Sequence, residues 1–363
     1  MAVIPKTITD ILKKVVFPGT TDNIVDLEMV QEIRTAGSRI SFTLVFGRDT
    51  DPNIKAVSEA CVVEIESALG TDYDLLITPK GKHRMSAPVL PGVKNIIAGA
   101  SGKGGVGKST VAANLAVALA KAGGKVGLID ADIFGPSIPK MFGEEDTQPL
   151  MESVEGRDMI IPIEKFGVKI LSIGFFGNKD NALVWRGPVA SNALKQLIVQ
   201  GMWGDLDYLL IDLPPGTSDI HLTIVQTLPV TGSVIVTTPQ DVALVDVIKG
   251  VSMFRSKAIE VPVLGIVENM SWFTPAELPD NKYYIFGKDG GKNLAQELDL
   301  PLLGQIPIVM SIREGGDSGI PVAWNDDTAT AEAFRVLAAN VIEQLDYRNE
   351  NLRPTERVRI KKS

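Results

Sequence analysis

The stretch "SGKGGVGKST", Ser101 to Thr110, follows the apolar run "NIIAGA" and leads into "VAANLAVALAKAG", which has the composition of a helix. Residues Gly102 to Ser109 fit the spacing G-x-x-x-x-G-K-[ST]. Glycine at 102, 104, 105 and 107 lets the backbone curl, so that the N–H groups from Gly102 through Lys103, Gly104, Gly105, Val106 and Gly107 to Thr110 can face phosphate oxygens. The following helix adds its positive end, Lys108 meets the outer phosphates, and the Ser109 hydroxyl is placed to ligate Mg²⁺. The strand, loop and helix in that order are what a phosphate-binding loop needs.

Two further apolar runs end in acids. "KVGLIDADIFGPS" places Asp130 and Asp132 just past a strand, and "YLLIDLPPGTSD" places Asp212 at the end of another. Hydrolysis of a nucleoside triphosphate needs one carboxylate to hold Mg²⁺ and another group to orient or deprotonate the attacking water. Asp212 suits the metal, Asp132 the water, and Asp130 a supporting role.

The elements that must position these residues follow from periodicity. Strands are expected at "NIIAGA", "KVGLID", "YLLID", "GSVIVTT", "PVLGIVE" and "LLGQIP", with helices near 107–122, 189–201, 218–228, 241–257 and 328–345. Near-continuous apolar strands alternating with helices predict an α/β fold with a mostly parallel sheet covered on both faces, and ligands of such sheets sit at the carboxyl ends of the strands. Ahead of it, residues 1–78 predict a small α/β domain. In it "RISFTLVFG" alternates like a half-buried strand, "DPNIKAVSEACVVEIESAL" keeps an apolar helical face from a start at Asp51, and "YDLLITP" forms another strand. Residues 79–93, rich in proline, glycine and basic residues, read as a linker. Residues 94–346 form the nucleotide domain, and 347–363 a basic tail, read as a solvated end.

Composition narrows the function class. The formal charge of −8 divides into −1 over residues 1–94, −11 over 95–346 and +4 over the tail. The largest block is acidic, which argues against a nucleic-acid-binding protein. No apolar run is long enough to cross a membrane and "MAVIPKTITDILKK" lacks a signal-peptide core, so the expected location is the cytoplasm. Cys61 is the only cysteine, and it falls on the apolar stripe of its helix, as a core residue would. His83 and His221 are the only histidines, and neither has metal-ligand spacing.

"ASGKGGVGKST", "DADIFGPS", "DLPPGTSD", "TTPQDVALVDVIKG", "VENMSWF" and "IREGGDSGIP" together resemble the Mrp/ApbC family of P-loop ATPases, the iron–sulfur cluster carrier proteins within the MinD, ParA and nitrogenase iron protein superfamily. The resemblance runs from about Gly92 to Ala339, and residues 1–78 are similar to the small iron–sulfur-assembly domain often fused ahead of that ATPase. It implies a Mg²⁺-dependent ATPase and a homodimer with ATP at the interface, Lys103 reaching the partner's nucleotide. It also implies that Asn269 binds the adenine edge, that the backbone near Pro307 packs on the base, and that clusters pass to client apoproteins.

One departure from that pattern is decisive. Where the family commonly carries a C-x-x-C pair, two of which would hold a [4Fe–4S] cluster across a dimer, this chain reads "WFTPAELPDNKYY". Five of the twenty-one aromatic residues (Trp272, Phe273, Tyr283, Tyr284 and Phe286) lie in or beside this stretch. They are expected to pack on the sheet edge or on a second subunit, with a docking surface as the alternative. Iron–sulfur ligands are therefore not identifiable. Beside an ATP-dependent carrier, a nucleotide-switched scaffold without its own cluster and a MinD- or ParA-type positioning ATPase remain open.

Overall fold

The computed structural model describes residues 4–47, 51–81, 89–133, 135–154, 156–176, 187–275, 277–278, 280–326 and 328–358. They belong to two compact units, Met1–Pro88 and Val89–Ser363. His83 and the end of the tail, including Ile360, lie outside the described residues.

The first unit contains α1 (Pro5–Leu12), β1 (Val30–Ala36), β2 (Arg39–Phe46), α2 (Ile54–Leu69) and β3 (Asp74–Gly81). β2 is central, antiparallel to β1 and parallel to β3. Its alternation sends Ile40, Phe42, Leu44 and Phe46 into a core shared with Val57, Cys61 and Ile65 of α2. The helix starts at Ile54 rather than at Asp51, because the Asp51 carboxylate accepts a hydrogen bond from the Asn53 N–H (2.9 Å) and closes a turn ahead of it. β1 carries no readable alternation: it is mostly exposed and its register shifts between Gln31 and Arg34. β3 runs on to Gly81, past the expected boundary at 78.

The second unit contains β4 (Val93–Ser101), α3 (Lys108–Lys121), β5 (Val126–Asp130), the single turn α4 (Ile138–Met141), a hairpin of β6 (Met151–Val154) and β7 (Arg157–Ile160), β8 (Ile163–Lys165) and β9 (Val168–Ser172). It continues with α5 (Gly187–Gln200), β10 (Leu206–Asp212), α6 (Asp219–Thr227), β11 (Gly232–Thr237), α7 (Asp241–Arg255), β12 (Val263–Phe273), α8 (Gly290–Glu297), β13 (Leu302–Ile308), α9 (Met310–Ser318) and α10 (Ala329–Asn351). Eight strands form one sheet in the order β13-β12-β11-β4-β10-β5-β9-β8, parallel except for the β8–β9 pair. Every residue of β5 and β11 is buried, as strands covered on both faces require. Two apolar cores lie on the two faces of the sheet.

Helix α3 is buried without a break from Val111 to Leu119, packed between the sheet and α10. Its alanines at 112, 113, 116 and 118 let those neighbours approach closely, while Leu115 and Leu119 fill the remaining space. Truncating either leucine to alanine costs about 2–5 kcal/mol. The phosphate loop therefore rests on one of the most tightly held elements of the fold.

α10 continues through Asn351, across the expected boundary at 346, and residues 352–358, though largely exposed, are tied to the fold rather than free of it. Val358 N–H donates to the Val225 carbonyl of α6 (2.9 Å), and buried Arg348 donates from Nη2 to the Arg353 carbonyl (2.8 Å) and to Thr355 Oγ1 (2.7 Å). Val358 also packs against the apolar core, which a charge count could not reveal.

Candidate functional site

The loop from Gly102 to Gly107 joins β4 to α3 at the carboxyl edge of the sheet, where β4 lies between β10 and β11. Gly107 caps α3 in the left-handed region (φ 80°), and a Cβ there would meet the Asn269 amide nitrogen at 2.3 Å. At Gly102 a Cβ would meet the Asp246 backbone at 2.4 Å. Both glycines are thus demanded by close approach as well as by loop curvature.

Sheet register brings the acids together. Asp212 at the end of β10 pairs with Gly99 of β4 and with Asp130 of β5, which in turn pairs with Ser172 of β9. Lys108 Nζ donates to Asp212 Oδ1 (2.6 Å) and lies 3.2 Å from Ser109 Oγ. Both members of this ion pair are buried, at 6% and 0% side-chain exposure. Burial raises the Asp212 pKa, and the Lys108 charge and the adjacent Ser109 hydroxyl oppose the shift. Asp212 Oδ2 is buried without a hydrogen-bond partner. An orphaned carboxylate oxygen beside a serine hydroxyl is a donor set that fits Mg²⁺.

Asp130 is fully buried and already committed. Oδ2 accepts from Ser172 Oγ (2.9 Å) and from the Ile138 N–H (3.2 Å), and Oδ1 accepts from the Asp132 N–H (3.2 Å). Desolvation, with the neighbouring Asp212 charge, pushes its pKa up to about 7. Asp130 thus fixes the turn that presents Asp132 and starts the short helix α4. Asp132 itself is half-buried and lines a cleft of about 220 Å³ with Lys103, Gly104, Lys108, Ser109 and Pro215. Ser172 is a residue the sequence reading missed, although the run "VKILS" offered an apolar strand ending in a hydroxyl.

Next to this phosphate-sized cleft lies a larger one of about 600 Å³, and the two share Gly107, Thr110, Ser137 and Met141. Asn269 and Pro307 line the larger cleft. Asn269 sits where β12 loses register with β13, and Met270 beside it is left-handed (φ 57°), so the strand bulges and aims Asn269 at the phosphate loop. Its Nδ2 donates to the Val106 carbonyl (2.8 Å). Immediately before it, buried Glu268 accepts from the N–H of Gly291 (2.6 Å) and Lys292 (3.3 Å) at the start of α8 and from Gln305 Nε2 (2.8 Å).

The aromatic stretch is a return from β12. Phe273 and Tyr283 exchange two backbone hydrogen bonds of 2.8 Å, and Lys282 Nζ lies 3.8 Å from the Trp272 ring centroid. Packing on the sheet edge holds only in part: Trp272 and Phe273 are half-buried, whereas Tyr283 and Tyr284 are 45% and 39% exposed. Among the described residues the Lys288 ammonium lies 5.1 Å from the Tyr284 ring centroid, and both tyrosines keep much of their surface open to solvent.

Cys61 is wholly buried in the first unit, and burial pushes its thiol up to about 12. It is a core residue, not an available thiolate. His221 is also buried. Its Nδ1 accepts from the Ser218 N–H (3.1 Å), closing the start of α6, and burial lowers its pKa to about 4. Among the described residues no group of three or more His, Cys, Asp or Glu side chains could hold a metal ion, and no helix is long and apolar enough to cross a membrane.

The chain is 41% identical over 336 residues to the iron–sulfur cluster carrier protein of Synechocystis sp., covering 91% of this chain and 95% of that protein. It is 45% identical over 264 residues to the iron–sulfur cluster transfer protein NUBPL of Dictyostelium discoideum, covering 72% and 80%. Among solved structures it is similar to a nucleotide-binding protein from Archaeoglobus fulgidus in complex with ADP, 37% identical with a TM-score of 0.56 over 66% of this chain and 91% of that one. The ParA family, described as NUBPL iron-transfer P-loop NTPase, matches residues 92–342, and the chain belongs to that family.

Proposed function

We propose that this chain is a Mg²⁺-dependent ATPase that carries iron–sulfur clusters to apoproteins or assists their assembly, working in the cytoplasm as a homodimer. The observation that carries the ATPase reading is the pair of adjoining clefts: one walled by the phosphate loop, Asp132 and Lys108, the other reaching Asn269 and Pro307. Phosphates and base of one ATP have separate, connected places. With ATP bound, Lys108 would exchange Asp212 for the outer phosphates, Ser109 and Asp212 would hold Mg²⁺, and Asp132 would orient water from a turn fixed by Asp130. Mg²⁺, when bound, neutralises charge on the phosphate oxygens. Lys103, half-buried in the loop, would reach a second subunit's nucleotide, a role that rests on the family resemblance.

The cluster is cargo. Its delivery is supported by the family and by relatives named for cluster carriage and transfer. A second reading, a nucleotide-switched scaffold that holds no cluster itself, is favoured by one observation: the only thiol is sealed in a core. Anaerobic reconstitution with iron and sulfide, with bound iron, sulfide and visible absorption measured per dimer, separates the two. A stoichiometric cluster supports the carrier. No cluster with ATP turnover intact supports the scaffold, and loss of a bound cluster on Cys61→Ala would contradict the burial of that thiol.

A further inference from the structure

The larger cleft has a wall that no sequence motif announced. Phe273 bridges to Tyr283, and two and three residues further on Ile285 and Phe286 line the same cleft as Asn269, Met270 and Pro307. Ile285 is 60% exposed and Phe286 half-buried, so apolar surface faces an open space bordered by the phosphate loop. The return is held at both ends by β12: at Phe273 through the backbone bridge, and at α8 through Glu268, the residue preceding Asn269. Gln305 Nε2 ties Glu268 to Asp289 as well, bonding their carboxylates at 2.8 and 3.1 Å. Gly287 and Gly290 seat the end of the return against Pro239, and at Gly290 a Cβ would meet the Pro239 carbonyl at 2.2 Å. The position of Ile285 and Phe286 relative to Asn269 is therefore set by the strand that carries Asn269.

From this placement we infer that Ile285 and Phe286 form the second wall of the base site, opposite the phosphate loop, and that the aromatic return is part of the nucleotide-binding apparatus. This rests on the reading of the two clefts as a nucleotide site. A flat heteroaromatic base gains from an apolar wall on its face while Asn269 supplies a polar edge. A bare polyphosphate reaches neither residue. The return thus distinguishes nucleosides from inorganic phosphates, and its outer residues Tyr283 and Tyr284 are tied through the same short segment to whatever occupies the base site.

The test compares binding of ADP and of inorganic tripolyphosphate by calorimetry in the parent protein, Phe286→Ala, Ile285→Ser and Lys108→Ala. Ile285 is exposed, so its substitution leaves folding intact even if Phe286→Ala does not. Each wall substitution is expected to weaken ADP about fivefold to tenfold and to leave tripolyphosphate unchanged. Unchanged ADP affinity in both wall variants, with Lys108→Ala still abolishing it, overturns the wall while sparing the nucleotide site. Equal weakening of ADP and tripolyphosphate overturns the wall too, since the effect would then be on the loop. No ADP binding by the parent protein would overturn the site reading itself.

Discussion

Removing the charge of Lys108 tests the core of the site most directly. Lys108→Met keeps an apolar stem and deletes the ammonium, leaving Asp212 at 0% exposure with one oxygen already unpartnered and the other stripped of its 2.6 Å donor. Breaking a buried pair from one side costs about 3–5 kcal/mol, because the remaining charge is stranded or must take up a proton. With a urea m-value of about 3 kcal/mol/M, the midpoint should fall by about 1–1.7 M. Residues 1–88 contain no tryptophan, and Trp203, Trp272 and Trp324 lie in the second unit, so tryptophan fluorescence reports that unit without interference from the first. Adding Asp212→Asn should recover most of the loss, since both charges are then gone, while ATP turnover stays abolished in each variant. An unchanged midpoint for Lys108→Met, or simple additivity in the double variant, would refute the buried-pair reasoning. Normal turnover would refute the phosphate-site assignment.

Other consequences can be checked separately. Asp132→Ala should leave nucleotide binding in place and slow hydrolysis by about 10²-fold, whereas weakened binding with normal turnover would remove Asp132 from the water-orienting role. Cys61 should resist iodoacetamide at pH 8 in the folded protein and react once the first unit unfolds; native labelling at the rate of a free thiol would contradict its burial. Two groups should give opposing pH slopes between about pH 4.5 and 6. His221, lowered to about 4 in the fold, refuses a proton that the unfolded chain accepts below about 6.5, so its contribution falls as pH falls. Asp130, raised to about 7, holds a proton that the unfolded chain has released, so its contribution falls as pH rises. In urea titrations of the nucleotide-free protein, His221→Gln should tilt stability toward low pH and Asp130→Asn toward high pH; parallel curves for both variants and parent would show that neither group is perturbed.

Much of this was written in local order. A nucleotide loop, its flanking strand and helix, and two acids at strand ends occupy short contiguous stretches, where residue type and spacing set backbone curvature and hydrogen-bonding groups directly. The parallel sheet followed from apolar runs such as "GSVIVTT", which only a strand covered on both faces tolerates. The apolar stripe holding Cys61 marked it as a core residue for the same reason.

What only tertiary structure decided depends on partners far apart in the chain. The pairing of Lys108 with Asp212 joins residues 104 positions apart, and Ser172 meets Asp130 because β9 happens to lie beside β5. The return of Ile285 and Phe286 to the cleft of Asn269 needs a bulge in β12 and an anchor at Glu268, neither of which has a periodic signature. By charge the basic tail reads as a solvated end, yet one valine and one buried arginine bind residues 352–358 back to the fold. Composition along the chain determines which surfaces must be buried and which groups can do chemistry. The choice of which groups meet is made by sheet order and register, through hydrogen bonds and burial that exist only once the strands are side by side.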